Sequence, residues 1–242
     1  MTNVFTKIIN WYMTQNKFKE DVILITPKVV SATALIYKRI QEDLKPTPLK
    51  SHYTFNLRDF SKVICGMCMA GKNQVPDTDV ATRLWAHETI RVFGDRLIND
   101  EDRMWMLEAV KEAVRSKFGA SFDTVFHHLD SDKNGKIETL DEIRGLIFGD
   151  VLTPFGLADR PYEEIQDKNK LQHSCEDQLA NYNSMTDKPM ELVLFSFALE
   201  HLLRISRILK QQGGHALLVG VGGSGRQSLT RLGAKMADME VF

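Results

Sequence analysis

Gly220-Val-Gly-Gly-Ser-Gly-Arg-Gln-Ser228 follows an apolar run, His215 to Val219, and opens a helix-patterned segment, Leu229 to Met236. Strand, glycine-rich loop and helix are the parts of a phosphate-binding loop. The glycines let backbone N–H groups close around phosphate oxygens, and the helix N-terminus adds positive potential. Where the G-x-x-x-x-G-K-[ST] pattern places Lys and Ser or Thr, this chain has Arg226 and Gln227, with Ser228 one place late. Arg keeps the charge but spreads it over a planar fork. Gln227 offers Mg²⁺ a neutral amide oxygen in place of a hydroxyl. Gly220, Val221, Gly222, Gly223, Ser224, Gly225, Arg226, Gln227 and Ser228 are therefore expected to bind nucleotide rather than to hydrolyse it. The alternative is a glycine-rich turn that holds no ligand.

A P-loop ATPase needs further parallel strands after this helix, one of them carrying the acidic residue that holds Mg²⁺ and orients water. The sequence stops at Phe242, so it reads as a segment of a longer polypeptide.

Working outward, the 242 residues are 43% hydrophobic and 26% charged, enough to bury one or two cores. A net charge of -1 supplies no general attraction to nucleic acid or to an anionic membrane. Cys65, Cys68 and Cys175 are too few for a disulfide framework and suit a reducing compartment. No apolar stretch approaches the roughly 18 residues of a membrane span, and the N-terminus lacks the layout of a signal peptide, which points to the cytosol.

Upstream of the loop the periodicity is helical throughout. Val4, Phe5, Ile8, Ile9, Tyr12 and Met13 share a face; Thr26-Pro27 opens a helix to about Leu44; Asn56 or Asp59 caps the next. Cys65-Gly-Met-Cys68 lies in that helix and reads as core thiols rather than a metal or redox pair. A helix is expected from about Thr78 to Leu97, and another capped by Asn99 and ending before Gly119. His87-Glu88 is not H-E-x-x-H, because Arg91 stands where the second His belongs, so a metalloprotease is excluded. After a loop at 148–161, helices are expected over 162–183 and from Thr186 or Asp187 to about Gln211. Arg204, Arg207 and Lys210 fall in the last turns of the final one, where they favour the negative end of the helix dipole.

A second local signal is Asp130-Ser-Asp-Lys-Asn-Gly-Lys-Ile137, which matches the opening of an EF-hand loop: oxygen ligands at alternate positions, a glycine for the turn, then an apolar residue. Its far end is out of register, because Asp141 stands at the twelfth place and Glu142 comes one residue late. Asp130, Asp132, Asn134, Lys136 (through its carbonyl) and Glu142 form the candidate Ca²⁺ set. The competing reading is a helix–turn–helix with a polar turn.

Two stretches, Lys45-Pro-Thr-Pro-Leu-Lys-Ser-His-Tyr-Thr-Phe-Asn-Leu-Arg-Asp59 and Gly220 to Leu232, together resemble the motor region of dynein heavy chains, and the Gly-Arg-Gln-Ser form of the loop resembles the axonemal branch. Trp85-Ala-His-Glu88 and Arg91-Val-Phe-Gly-Asp-Arg-Leu97 fit the same pattern. The resemblance implies a mainly α chain: a helical AAA+ lid and connecting helices, then the first strand, P-loop and helix of an incomplete α/β AAA+ domain. Residues 1–25 would close the large subdomain of the third AAA+ module, 26–118 form its lid, 119–188 connect, and 189–242 begin the fourth module.

It further implies a share in an ATP-driven microtubule motor of cilia and flagella, with ATP or ADP, and Mg²⁺ in the full ring, as cofactors. No catalytic residue falls in this segment, which is expected to be inactive alone. Arg58 resembles the lid arginine that senses nucleotide phosphates; the alternative is a salt bridge to Asp59 or another carboxylate. Neighbouring AAA+ modules are the implied partners, with the microtubule and the dynein intermediate and light chains reached through the full-length protein; nucleic acid and membrane are not among them. Rival expectations are a free-standing Ca²⁺-responsive module built on Asp130 to Glu142, and an independent P-loop NTPase.

Overall fold

The structure is a computed structural model that describes residues 2–157 and 159–241; Ala158, inside the expected 148–161 loop, lies outside them. The chain forms two compact units, Met1–Phe148 and Gly149–Phe242.

In the first unit, α1 (Thr2–Gln15), α2 (Glu20–Leu24), α3 (Thr26–Asp43), α4 (Leu57–Met67), α5 (Thr78–Val92) and α6 (Asp100–Ala113) are followed by the short α7 (Phe122–Val125) and α8 (Leu140–Ile143). The apolar run at 22–25 is absorbed into α2 and its cap, and Thr26 is the first residue of α3 rather than its cap. Helix α1 lays Ile9 and Met13 onto α3 and α4. Around them Ile36, Ile40, Phe60, Met67, Trp85 and Phe93 are fully buried, each aliphatic or aromatic side chain contributing about 1.5–3 kcal/mol. The indole N–H of Trp85 donates to Thr33 Oγ1 at 2.9 Å, which itself donates to the Val29 carbonyl at 2.8 Å, so both of these buried donors are satisfied.

Caps set the helix starts. Asn56 and Asp59 form a reciprocal capping box on α4, so both expected residues serve. Asp77 caps α5 and Asn99 caps α6. Helix α5 ends at Val92, short of the expected Leu97, and Gly94–Arg96 turn as a 3₁₀ segment. After α6 the helix widens over Val114–Phe118 and stops at Gly119, whose φ of 73° is left-handed.

The α4–α5 contact demands glycine at one point. A Cβ on Gly66 would lie 1.7 Å from Oε2 of the fully buried Glu88. The expectation that Cys65 and Cys68 are both core thiols is not met: Cys65 is exposed on α4 and Cys68 is only partly covered.

In the second unit, α9 (Lys168–Ser184), α10 (Ser196–Lys210) and α11 (Arg226–Met236) pack together, α10 and α11 approaching closest where a Cβ on Gly233 would meet Ile205 Cγ2 at 2.9 Å. A two-residue pairing of β1 (Phe148–Gly149) with β2 (Glu163–Glu164) is the sheet among the described residues. The helix expected from Thr186 or Asp187 starts only at Ser196. Asn183 is the reason: its side chain donates to the Met190 carbonyl at 2.9 Å and accepts the Met190 N–H at 2.8 Å, holding that backbone out of helical bonding. Helix α9 likewise starts late, at Lys168, capped by Asp167.

Candidate functional site

The glycine loop leads straight into α11. Gly223 and Gly225 have φ of 75° and 74°, and Gly225 is the residue before the helix. These are left-handed conformations that only glycine adopts without strain. A Cβ placed on Gly222, Gly223 or Gly225 would meet nothing within 4 Å, and Gly222 to Ser224 are exposed, so the loop is open at these positions. Arg226 folds back on this loop: its guanidinium donates to the Leu218 carbonyl at 3.3 Å and the Val221 carbonyl at 2.9 Å. Gln227 and Ser228 follow within the first turn of the helix.

The run His215 to Val219 does not form the expected strand. It makes no ladder among the described residues, and Leu217 and Val219 are 89% and 82% exposed. A strand exists only through hydrogen bonds to a neighbour, and here no described segment supplies one. Its aliphatic side chains are those of a strand that is covered on both faces.

Arg58 lies in the first unit and the loop in the second. Arg58 sits in the first turn of α4, exposed; its N–H donates to Asn56 Oδ1 at 2.8 Å, and its guanidinium has no bonded partner among the described residues. The alternative salt bridge to Asp59 is not made. Asp59 instead caps Asn56 and accepts from Arg96 at 3.0 Å.

Arg96 is a positioning residue that sequence reading passed over. Its guanidinium also donates to the carbonyls of His52 at 2.7 Å and Thr54 at 3.1 Å and stacks on the Phe55 ring at 4.5 Å. It thereby clamps the extended stretch that delivers Arg58. Beside it, Asp102 accepts from Lys50 at 2.6 Å and from the Tyr53 hydroxyl at 2.7 Å. The joint occurrence of the 45–59 and 91–97 stretches in one pattern was the only sign of this coupling.

In the 130–142 loop, Asp130 accepts the N–H of Gly135 at 2.8 Å and of Asn134 at 3.2 Å, with Gly135 at φ 81°. Asp132 accepts from the Asn134 side chain at 3.0 Å, and Asn134 Oδ1 accepts the Lys136 N–H at 2.7 Å. The one-residue offset is resolved in favour of Glu142. Asp141 points outward, 87% exposed and paired with Arg144 at 3.1 Å. Glu142 is buried and forms a capping box with Thr139. Asp130, Asp132 and Glu142 each present a ligand oxygen within 4.8 Å of the others.

Burial pushes the Glu142 carboxyl up, but the Thr139 N–H and hydroxyl and the Glu138 N–H, which bond Oε2, together with the nearby Ser131 N–H, outweigh it and hold the pKa below the usual range. For Asp130, burial likewise raises the pKa and the Gly135, Asp132, Asn134 and Lys133 interactions lower it further than that.

The basic residues near the end of α10 are engaged: Arg204 bonds Glu200, Lys210 reaches Asp150 at 3.0 Å, and Arg207 is buried. No helix among the described residues is long and apolar enough to cross a membrane.

The helical unit with its capped, clamped entry and the glycine loop opening a helix each fall within a stretch that a known family matches. Residues 29–130 match the AAA+ lid domain, and residues 190–242 match the P-loop-containing dynein motor region D4. Over its whole length the chain is homologous to axonemal dynein heavy chains. It is 46% identical to dynein axonemal heavy chain 12 of Mus musculus and 44% identical to that of Homo sapiens, in each case covering all of this chain and 8% of the relative. With dynein axonemal heavy chain 3 of Mus musculus it shares 43% identity, covering 6% of that protein. The chain therefore spans less than a tenth of these relatives. Similarity along the entire chain lends no support to the alternative of a free-standing Ca²⁺ module.

Proposed function

We propose that this chain joins two AAA+ modules of an axonemal dynein motor ring, residues 26–118 serving as the lid of the third module and 189–242 opening the fourth. The observation that carries the reading is the open glycine loop, with Gly223 and Gly225 left-handed, running into α11. In this reading the N–H groups of Gly222 to Arg226 hold the phosphates of ATP or ADP, and the helix N-terminus adds favourable potential. The Arg226 guanidinium exchanges its two carbonyl partners for phosphate oxygens. Mg²⁺ neutralises phosphate charge when bound, but Gln227 is a poor ligand for it, so the site binds and regulates rather than turns over.

Arg58, exposed and unpaired at the start of α4, senses the nucleotide of its own module. Microtubule movement, contacts with intermediate and light chains, and placement in the axoneme of cilia or flagella belong to the complete heavy chain.

Equilibrium titration of the chain with fluorescent ADP and ATP tests this. Binding of both, weakened about tenfold or more by Arg226→Ala and accompanied by no phosphate release, is the expected result; tenfold corresponds to about 1.4 kcal/mol. Failure to bind either nucleotide, or turnover that Arg226→Ala abolishes, overturns it.

A further inference from the structure

The loop between α7 and α8 holds more negative charge than its own hydrogen bonds explain. Asp130, Asp132 and Glu142 each bring a carboxylate oxygen within 4.8 Å of the others. One carboxylate oxygen is unaccounted for. Glu142 is 6% exposed; its Oε2 accepts from the Glu138 N–H at 3.0 Å and from the Thr139 N–H and hydroxyl at 2.9 and 2.8 Å. Its Oε1 is buried and has no hydrogen-bond partner. A buried, unpartnered anionic oxygen beside two further carboxylates is costly unless a cation completes it.

We propose that this loop is a Ca²⁺ site within the motor segment, formed by Asp130, Asp132 and Glu142 with the side-chain oxygen of Asn134 and the carbonyl of Lys136. Donor type and number select the ion. Carboxylate, amide and carbonyl oxygens gathered within 4.8 Å, where two ligands of one Ca²⁺ at about 2.3–2.6 Å lie at most about 5 Å apart, suit a flexible, oxygen-rich Ca²⁺ shell. Mg²⁺ demands a near-ideal octahedron and gives up its waters reluctantly, so an all-protein set of this kind suits it less. The glutamate one place late is still the ligand, because α8 turns Glu142 inward and Asp141 outward. The site is independent of whether the glycine loop binds nucleotide.

Calorimetric titration of the chelator-treated chain with CaCl₂ and with MgCl₂ tests it, alongside thermal unfolding. The expected result is Ca²⁺ binding with Kd on the order of 10⁻⁵ to 10⁻⁴ M, a higher melting temperature, and Mg²⁺ weaker by about tenfold or more. Glu142→Gln, which preserves the capping box, weakens Ca²⁺ about tenfold or more, as does Asp130→Asn. Asp141→Asn changes it by less than about twofold, since that side chain faces away. Circular dichroism confirms that each variant is folded. No heat and no thermal shift up to about 10 mM Ca²⁺, or loss on Asp141→Asn but not on Glu142→Gln, overturns the proposal.

Discussion

Arg96 donates to Asp59 Oδ2 at 3.0 Å while Asp59 also accepts the Asn56 N–H at 3.0 Å, so one carboxylate links the turn after α5 to the capping box that starts α4. The pair is partly covered, with side chains 29% and 10% exposed, and Arg96 adds bonds to His52 and Thr54 and stacking on Phe55. The position of Arg58 depends on this clamp.

Arg96→Ala is expected to cost about 1–3 kcal/mol, less than a fully buried pair because solvent screens part of it. Urea unfolding measures the loss. Hydrogen exchange should show residues 52–59 opening first; protection there equal to the parent would refute the clamp. Arg58→Ala, by contrast, removes an exposed side chain with no partner and is expected to stay within about 0.5 kcal/mol of the parent.

Gly66→Ala sets a Cβ against Glu88 Oε2 in a site with no space. A loss of about 1–3 kcal/mol is expected, read as a lower denaturation midpoint at unchanged m-value. A neutral outcome would mean that α4 and α5 separate freely.

The thiols should differ in reactivity. Burial, then the neighbouring Cys65 charge, pushes Cys68 up to about 12, and burial, then Glu176, pushes Cys175 up to about 12. Both remain protonated and covered at pH 8, whereas Cys65 is exposed. A disulfide exchange reagent at pH 8 should therefore label Cys65 quickly and the others only on unfolding. The linkage runs one way: a thiol with a raised folded pKa contributes stability below its ordinary pKa and loses it as pH climbs toward about 12. Alkaline destabilisation that shrinks in Cys68→Ser is the expected signature.

Asn183→Ala removes both bonds to the Met190 backbone. About 1–2 kcal/mol should be lost from the second unit, with faster exchange at the Met190 amide. Unchanged exchange would show that something else keeps residues 187–195 out of helix.

How far these features were legible from sequence follows from how local each is. Caps at Asn56 and Asn99, the stop at Gly119 and the glycine loop before α11 were all readable, because a cap or a left-handed turn is a matter of three or four adjacent residues. The clamp by Arg96 was not, since an arginine in a 3₁₀ turn carries no mark of a partner some forty residues earlier.

The amino-acid order alone determined the helical periodicity, the caps, and the oxygen-bearing and glycine positions of both loops, since backbone preference and side-chain spacing act over a few residues. Only the tertiary structure decided that Glu142 and not Asp141 turns inward, that Asn183 holds Met190 out of helix, and that His215 to Val219 has no ladder among the described residues. Which of two adjacent side chains is buried, and whether a run finds a neighbour to pair with, depend on what chain folding does or does not bring alongside.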